Sequence, residues 1–347
     1  MTNILIAAVV GLIVGLLGTP LAIKRFRRRG WGQLIREEGP KAHYEKRGTP
    51  TMGGLVILTG TLLGYLIGHV GTGGISPFRD SGVLAMGTIA ALGFLGFLDD
   101  FIKIRMSRSL GLQSRAKFLG QLVIAIVFAF LAIEVIGIGT DLSFFRSTKV
   151  DLGVLFYVWV FIMIAASSNG LNLTDGLDGL AVGSAAQVFG AFTVVAFWQF
   201  RHQIFYDIGA TGSDPFDLAL VAAALAGASA GFLWWNTAPA KIFMGDTGSL
   251  MLGGAMAVLA LLLNTQLLLL VLGGLYVVET LSVIVQVGMF KRTGRRAFLM
   301  APIHHHFELA GWPEFTVIVR FWVLSGLSVA FGLGLFYADF IYKGLFE

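Results

Sequence analysis

Residues 83–103 read VLAMGTIAALGFLGFLDDFIK, an apolar run from Val83 to Leu98 that ends in two adjacent carboxylates, Asp99 and Asp100, with Lys103 just beyond them. A helix needs about 20 predominantly apolar residues to cross roughly 30 Å of hydrocarbon. The run is continuous rather than alternating with period two, which fits a helix and not a barrel strand. Two like charges therefore stand where such a helix leaves the membrane, and that placement asks for a reason.

Runs of the same kind recur along the 347 residues, near 3–23, 52–70, 82–101, 118–138, 153–168, 179–199, 217–235, 249–264, 266–288 and 318–342. Only Asn264, Thr265 and Gln266 separate the eighth from the ninth. The chain is 56% hydrophobic and 13% charged, whereas soluble domains carry about a quarter charged residues. The expected fold is an all-α polytopic membrane protein of about ten transmembrane helices, one of them allowed a break. It forms a single integral domain over 1–347, with no segment left for a separate soluble unit. The absence of cysteine excludes disulfides, thiolate nucleophiles and cysteine zinc sites. The basic cluster Lys24-Arg25-Phe26-Arg27-Arg28-Arg29 follows the first apolar run instead of preceding it, so that run is read as a retained anchor with its N-terminus outside.

Ten spans place both termini and the even-numbered junctions on one side. Of the 25 Lys and Arg residues, only Arg79, Arg146, Lys149, Arg201 and Lys343 fall there. The odd-numbered junctions are thus cytoplasmic by the positive-inside rule, and most of these bases need no further role than topology and lipid contact. Acidic residues do not follow from that rule. Yet Asp99, Asp100, Asp175, Asp178 and Asp246 all lie at cytoplasmic ends of spans, where a compact bundle could gather them. Two carboxylates 4 Å apart repel by about 4 kcal/mol at an effective dielectric near 20, so a cluster calls for cations. Lysines such as Lys103 would serve, as would a divalent metal. With oxygen ligands in excess and no cysteine, Mg²⁺ or Mn²⁺ fits better than zinc.

In SSNGLNLTDGLDGL, Asn169, Asn172, Asp175 and Asp178 recur every third residue, so neighbours share a helix face while the set drifts around it. Gly170, Gly176 and Gly179 break that helix or let a ligand approach the backbone. Two amides and two carboxylates there offer metal ligands or hydrogen bonds to a polar ligand; the plainer alternative is a capped membrane-edge loop. In KIFMGDTGS, Asp246 is either the N-cap of the eighth span or a carboxylate beside a helix N-terminus, a place that stabilises phosphate. Phe243 offers a flat apolar face or a simple interfacial anchor. In APIHHHFE, His304, His305 and His306 stand about 100° apart on a helix and cannot all face one small ion, which favours contact with an anionic substrate over metal binding or a plain loop. Arg47-Gly48-Thr49-Pro50-Thr51-Met52-Gly53-Gly54 opens the second span, with Pro and Thr suited to a helix start, and by itself reads as a capping sequence. Glu279 lies inside the ninth span, where a carboxylate is costly and marks a paired or functional group. Glu134 is left without a reading.

Taken together and in this order, GTPTMGG, GFLDDFIK, NLTDGLDGL, FMGDTGS, VVETLSVIVQV and APIHHHFELAGWPE resemble the phospho-N-acetylmuramoyl-pentapeptide transferases, over about residues 41–321. The paired aspartates and the NxxD element are shared with the wider polyprenyl-phosphate hexosamine-1-phosphate transferases; the triple histidine resembles the muramoyl branch. The resemblance implies a ten-helix enzyme of the bacterial inner membrane, commonly a homodimer, with both termini outside and a cytoplasmic site. Its reaction would join undecaprenyl phosphate to UDP-N-acetylmuramoyl-pentapeptide, giving lipid I and UMP. By the same resemblance Asp99, Asp100 and Asp246 take the acidic catalytic positions, with Asp246 the Mg²⁺ ligand. Asn169, Asn172, Asp175, Gly176, Leu177, Asp178, Asn236 and Phe243 match the nucleoside and substrate pocket, the phenylalanine stacking on uracil. Lys46, Thr51, Lys103, Lys117, His304, His305 and His306 match polar positions around substrate. After Lys103 the chain has Arg105 and Arg108 where some relatives carry a second lysine, so that role is not carried over.

The residue types suit phosphoryl transfer in their own right, since a metal and lysines can neutralise a diphosphate and its departing nucleotide. Direct attack by the lipid phosphate, positioned or deprotonated by Asp99 or Asp100, is preferred to a two-step route through a covalent Asp246. Two other readings remain: a UDP-GlcNAc:polyprenyl-phosphate transferase, and a secondary transporter. Transport sites lie near the bilayer midplane, whereas these five aspartates sit at one surface.

Overall fold

The computed structural model describes residues 1–32, 46, 48–71, 74–106, 111–206 and 212–346. Arg47 and Arg108 of the motifs above lie outside the described residues. Helix α1 (Thr2–Arg28) leads to α2 (Gly54–Gly68), a small hairpin of β1 (Val70–Gly71) and β2 (Gly74–Ile75), and α3 (Asp80–Arg105). Next, α4 (Ser114–Leu131) continues into a π-helical turn over Ala132–Ile136, and a second hairpin, β3 (Asp141–Ser143) with β4 (Ser147–Asp151), precedes α5 (Leu155–Thr174). The chain then forms α6 (Leu180–Arg201), α7 (Pro215–Asn236), α8 (Gly245–Leu262), α9 (Leu268–Leu272), α10 (Gly274–Thr293), α11 (Ile303–Leu309) and α12 (Glu314–Phe346).

Among the described residues, nine helices are long and apolar enough to cross a membrane, and α2 is a shorter apolar helix of 15 residues. The expected all-α polytopic architecture is therefore the observed one. Three local expectations change. The ninth span is not one helix: it breaks at Gly273 into α9 and α10. The second begins at Gly54, at the end of the 47–54 stretch expected to open it, but Gly53 is its N-cap and no side chain caps it, so Pro50 and Thr51 do not. Gly170 does not break α5, which runs on to Thr174.

Helix α8 is the axis of the bundle. Every residue from Thr247 to Leu262 is buried, as expected for a helix that is apolar all round. It packs against α3 and α5. On the flank, α1 buries Ile4, Ala7, Gly11, Gly15, Thr19, Ile23 and Phe26 against α7. A Cβ at Gly11 would lie 2.6 Å from the Ala224 carbonyl oxygen and one at Gly15 2.6 Å from that of Ala228. Small residues at this spacing let two backbones approach where lipid offers no hydrophobic drive to association. At the end of the bundle that carries the two hairpins, Arg146 Nη2 meets Asp339 Oδ1 of α12 at 2.7 Å.

Candidate functional site

Four helix ends meet at the opposite end of the bundle: the C-termini of α3 and α5 and the N-termini of α4 and α8. The α8 N-terminus explains one half of the aspartate pair. The first N–H groups of a helix have no partner inside it. Asp100 supplies one from outside: its Oδ1 accepts from Asp246 N at 3.1 Å, and its Oδ2 from Thr247 N at 2.9 Å and Thr247 Oγ1 at 2.7 Å. Asp246 itself lies within the first turn, after Met244 at the N-cap, so it is not the cap of this helix. Gly245 has φ +70, and a Cβ there would collide with Asp100 Oδ2 and come 2.9 Å from Thr51 Oγ1. Thr51 is thus placed beside the same turn, buried. The backbone ties Gly53 N to Phe243 O and Gly54 N to Met244 O, both 2.9 Å, bind the start of α2 to this turn.

The other half points at lysine. Lys103 Nζ is 2.5 Å from Asp99 Oδ2, 3.7 Å from Asp100 Oδ1 and 3.2 Å from Asp246 Oδ2. Lys117, in the first turn of α4, stands 2.5 Å from Asp246 Oδ2 and 3.2 Å from Asp99 Oδ1. Asp99 Oδ1 also accepts from Leu112 N at 2.9 Å. Asp99, Asp100 and Asp246 each offer an oxygen within 4.8 Å of the others. Three hard oxygen donors at this spacing suit a cation such as Mg²⁺. Asn172 holds Asp246 from the α5 side, donating from Nδ2 to Asp246 Oδ1 at 3.0 Å and to Ser249 Oγ at 2.8 Å.

Below this cluster the 175–178 loop takes over from α5. Asp175 is the C-cap of that helix. Burial, reinforced by the charges of Asp246, Asp100 and Asp178, holds its carboxyl well above the usual carboxylate range. Leu177 is buried in a small apolar cluster with Leu180 and Phe321. Asp178 is clamped: Lys46 Nζ lies 2.8 Å from its Oδ1, and its Oδ2 accepts from Ala240 N at 2.8 Å. Glu314, the first residue of α12, completes the clamp at 2.5 Å from Lys46 Nζ. Burial works against the charge on Lys46, but its two carboxylate partners outweigh it and raise its pKa above the ordinary lysine value. Glu314 closes the histidine motif, where the sequence reading gives it no role; the Pro313-Glu314 pair, a helix-start signal, is the one sign of it.

The remaining residues are spread around this centre. Asn236 is buried and donates to the Ile242 carbonyl at 2.8 Å, shaping the loop that carries the half-buried Phe243. Asn169 is turned away, donating to Ala165 O at 2.7 Å and to Gln121 of α4 at 3.3 Å. His304 and His305 are buried on α11 beside Gly176, whose hypothetical Cβ would collide with His304 Nε2 and lie 3.1 Å from His305 Nε2. His306 faces elsewhere, its Nδ1 accepting from Leu299 N at 3.1 Å.

Carboxylates that would repel are thus held together by two lysines and a helix N-terminus, an arrangement that can receive phosphates beside cations. Comparison with known proteins agrees in kind. Residues 83–264 match the glycosyl transferase family 4, and residues 46–58 match phospho-N-acetylmuramoyl-pentapeptide-transferase signature 1. The chain is 56% identical over 355 residues to the phospho-N-acetylmuramoyl-pentapeptide-transferase of Frankia casuarinae, covering 99% of both chains. It is 52% identical over 357 residues to that of Streptomyces griseus, covering 99% of this chain and 100% of the relative. Against that of Streptomyces coelicolor it is 50% identical over 357 residues, covering 97% of this chain and 98% of the relative. With its polytopic helical fold and its length matched almost completely, the chain belongs to the phospho-N-acetylmuramoyl-pentapeptide-transferase family.

Proposed function

We propose that this membrane transferase moves phospho-N-acetylmuramoyl-pentapeptide from its UDP-linked donor to undecaprenyl phosphate, yielding lipid I and UMP at the cytoplasmic face of the bacterial inner membrane. The observation that carries the reading is the meeting of Asp99, Asp246, Lys103 and Lys117 at the end of a fully buried helix. A water-soluble diphosphate can reach this end, and a lipid phosphate can reach it from the bilayer. The homodimer implied by the sequence resemblance belongs to the same proposal.

Asp246, Asp99 and Asp100 would hold Mg²⁺, which when bound supplies charge neutralisation at the diphosphate. Lys103 and Lys117 do the same from the protein side, as cations already in place before the reaction begins. Asp99 orients the lipid phosphate and takes its remaining proton, its Oδ2 meeting the Lys103 ammonium and no backbone donor. The lipid phosphate oxygen forms a bond to the sugar-linked phosphorus while the bond from that phosphorus to the bridging oxygen breaks, and UMP departs with the bridging oxygen. Phosphoryl transfer asks the protein mostly for positioning and charge stabilisation, which this arrangement offers. Asp100 serves by fixing the α8 turn that presents Asp246. Asp246 is engaged at both oxygens, by Asn172 and by the two lysines, which favours direct displacement over a covalent intermediate on it. Phe243 offers its ring to the uracil, and Asn172, Asp175, Asp178 and Asn236 frame the nucleotide pocket.

The test is UMP release by the purified protein with Mg²⁺ and polyprenyl phosphate. Release with UDP-N-acetylmuramoyl-pentapeptide and not with UDP-GlcNAc is expected. Release with UDP-GlcNAc alone, or with neither, contradicts the proposal.

A further inference from the structure

Glu279 is a buried carboxylate that the scheme above does not use. Helix α10 buries only Leu275, Tyr276, Glu279 and Ser282, so Glu279 is the single charged group on its inward face. Both Glu279 and His304 are 0% exposed, and Glu279 Oε1 lies 3.1 Å from His304 Nδ1. Neither oxygen of Glu279 and neither ring nitrogen of His304 makes a hydrogen bond among the described residues, and the 3.1 Å approach of Oε1 to Nδ1 is the one ionic contact Glu279 has there. A carboxylate buried without a partner costs several kcal/mol, and a proton at Nδ1 of the facing ring is what would offset that cost.

The neighbouring histidine repeats the pattern. His305 Nδ1 lies 2.6 Å from Glu308 Oε2. The two rings are 4.2 Å apart between centroids, at 61°. Each ring has its Nδ1 backed by a carboxylate, and both Nε2 atoms converge on Gly176, in the loop between Asp175 and Asp178. His306 is the contrast: its Nδ1 accepts a hydrogen bond from Leu299 N and carries no proton, so the neutral ring is protonated at Nε2. The surroundings thus favour opposite tautomers for His305 and His306, and the carboxylate beside His304 Nδ1 groups that ring with His305.

We propose that Glu279 and Glu308 are positioning residues that fix His304 and His305 with the proton on Nδ1 and aim their Nε2 atoms at the 175–178 loop, so that the pair sets the shape of that loop for the nucleotide-sugar donor. Carboxylate backing of this kind sets a ring's orientation and raises its basicity, and its loss costs an active site about 10- to 100-fold. The inference rests on the reading of the site as the donor pocket. Glu279 acts through His304 and does not touch the substrate.

The experiment uses the full-length protein with ¹⁵N-labelled histidine, in detergent. The ring signals of His304 and His305 are assigned with His304→Gln and His305→Gln, and compared among wild type, Glu279→Gln and Glu308→Gln. Wild type should show protonated Nδ1 at both rings and unprotonated Nδ1 at His306. Glu279→Gln should shift the His304 signals alone and raise KM for the UDP-linked donor about tenfold, with KM for the lipid phosphate unchanged. Glu308→Gln should do the same through His305, and it keeps the test open if the buried Glu279→Gln substitution prevents folding. Unaltered tautomers with unaltered donor KM in the folded variants would overturn the proposal, as would a loss of activity that only tracks the folded fraction. A wild type that releases no UMP would instead fail the functional reading, while the ring signals still report on the pairing.

Discussion

Replacing Asp100 by Asn separates a structural carboxylate from a chemical one. The change keeps the shape but turns one acceptor oxygen into an NH₂ group facing N–H and O–H donors. Asp100 now accepts three hydrogen bonds from Asp246 N, Thr247 N and Thr247 Oγ1. Its Coulomb interactions are net repulsive. Repulsion from Asp246 and from Asp99, each at up to 4.8 Å, amounts to about 3.5 kcal/mol apiece at an effective dielectric of 20, against an attraction to Lys103 at 3.7 Å of about 4.5 kcal/mol. What remains is the cap, where each buried donor left unpaired costs about 1–3 kcal/mol. One or two such donors cost about 2–4 kcal/mol, offset in part by the repulsion that Asn relieves. Asp99→Asn loses contacts to two partly exposed lysines but keeps an acceptor for Leu112 N, so about 1 kcal/mol is expected there. Thermal unfolding in detergent should therefore drop by several degrees for Asp100→Asn and hardly move for Asp99→Asn, while UMP release falls in both. Equal unfolding temperatures for Asp100→Asn and wild type would refute the capping role.

Three further outcomes follow from the geometry. Lys117→Met removes a cation 2.5 Å from Asp246 and should lower kcat about 10²- to 10³-fold, read by UMP release, with no recovery on adding Mg²⁺. Glu314→Gln removes one of the two carboxylates holding Lys46 and should raise KM for the UDP-linked donor severalfold with little change in kcat, read from steady-state kinetics. Asp175 carries a raised pKa, so its carboxyl binds a proton more tightly in the folded than in the unfolded chain. That group's contribution is fully present below its unfolded pKa and is lost as pH rises through the folded value. Without Mg²⁺, Asp175→Asn should accordingly flatten the decline of the unfolding temperature with rising pH, measured across about pH 5 to 8.

Most of the architecture was legible because lipid permits few solutions: continuous apolar runs must be helices, and the count of spans follows from their length. The break at Gly273 was not, since an apolar run carries no mark of where a helix bends when both halves remain apolar. Gathering of Asp99, Asp100 and Asp246 could be anticipated from their common position at span ends. Their division of labour could not. Whether a carboxylate faces a lysine or a helix N-terminus depends on how α3 is rotated against α8, and the adjacent residues Asp99 and Asp100 differ by about 100° around one helix. Glu279 shows the same limit from the other side: the cost of burying it announced a partner, but His304 is separated from it by the whole of the α10–α11 connection. Asn169 matched a motif by spacing, and α5 turns it towards Gln121 instead of the carboxylates.

Asp99, Asp100 and Asp246 are proposed to bind one divalent cation beside Lys103 and Lys117. Binding of Mn²⁺ to the purified protein, followed by electron paramagnetic resonance, tests it most directly. A single site is predicted, displaced by Mg²⁺ and weakened roughly tenfold or more by Asp246→Asn. The same stoichiometry and affinity in Asp246→Asn as in wild type would contradict it.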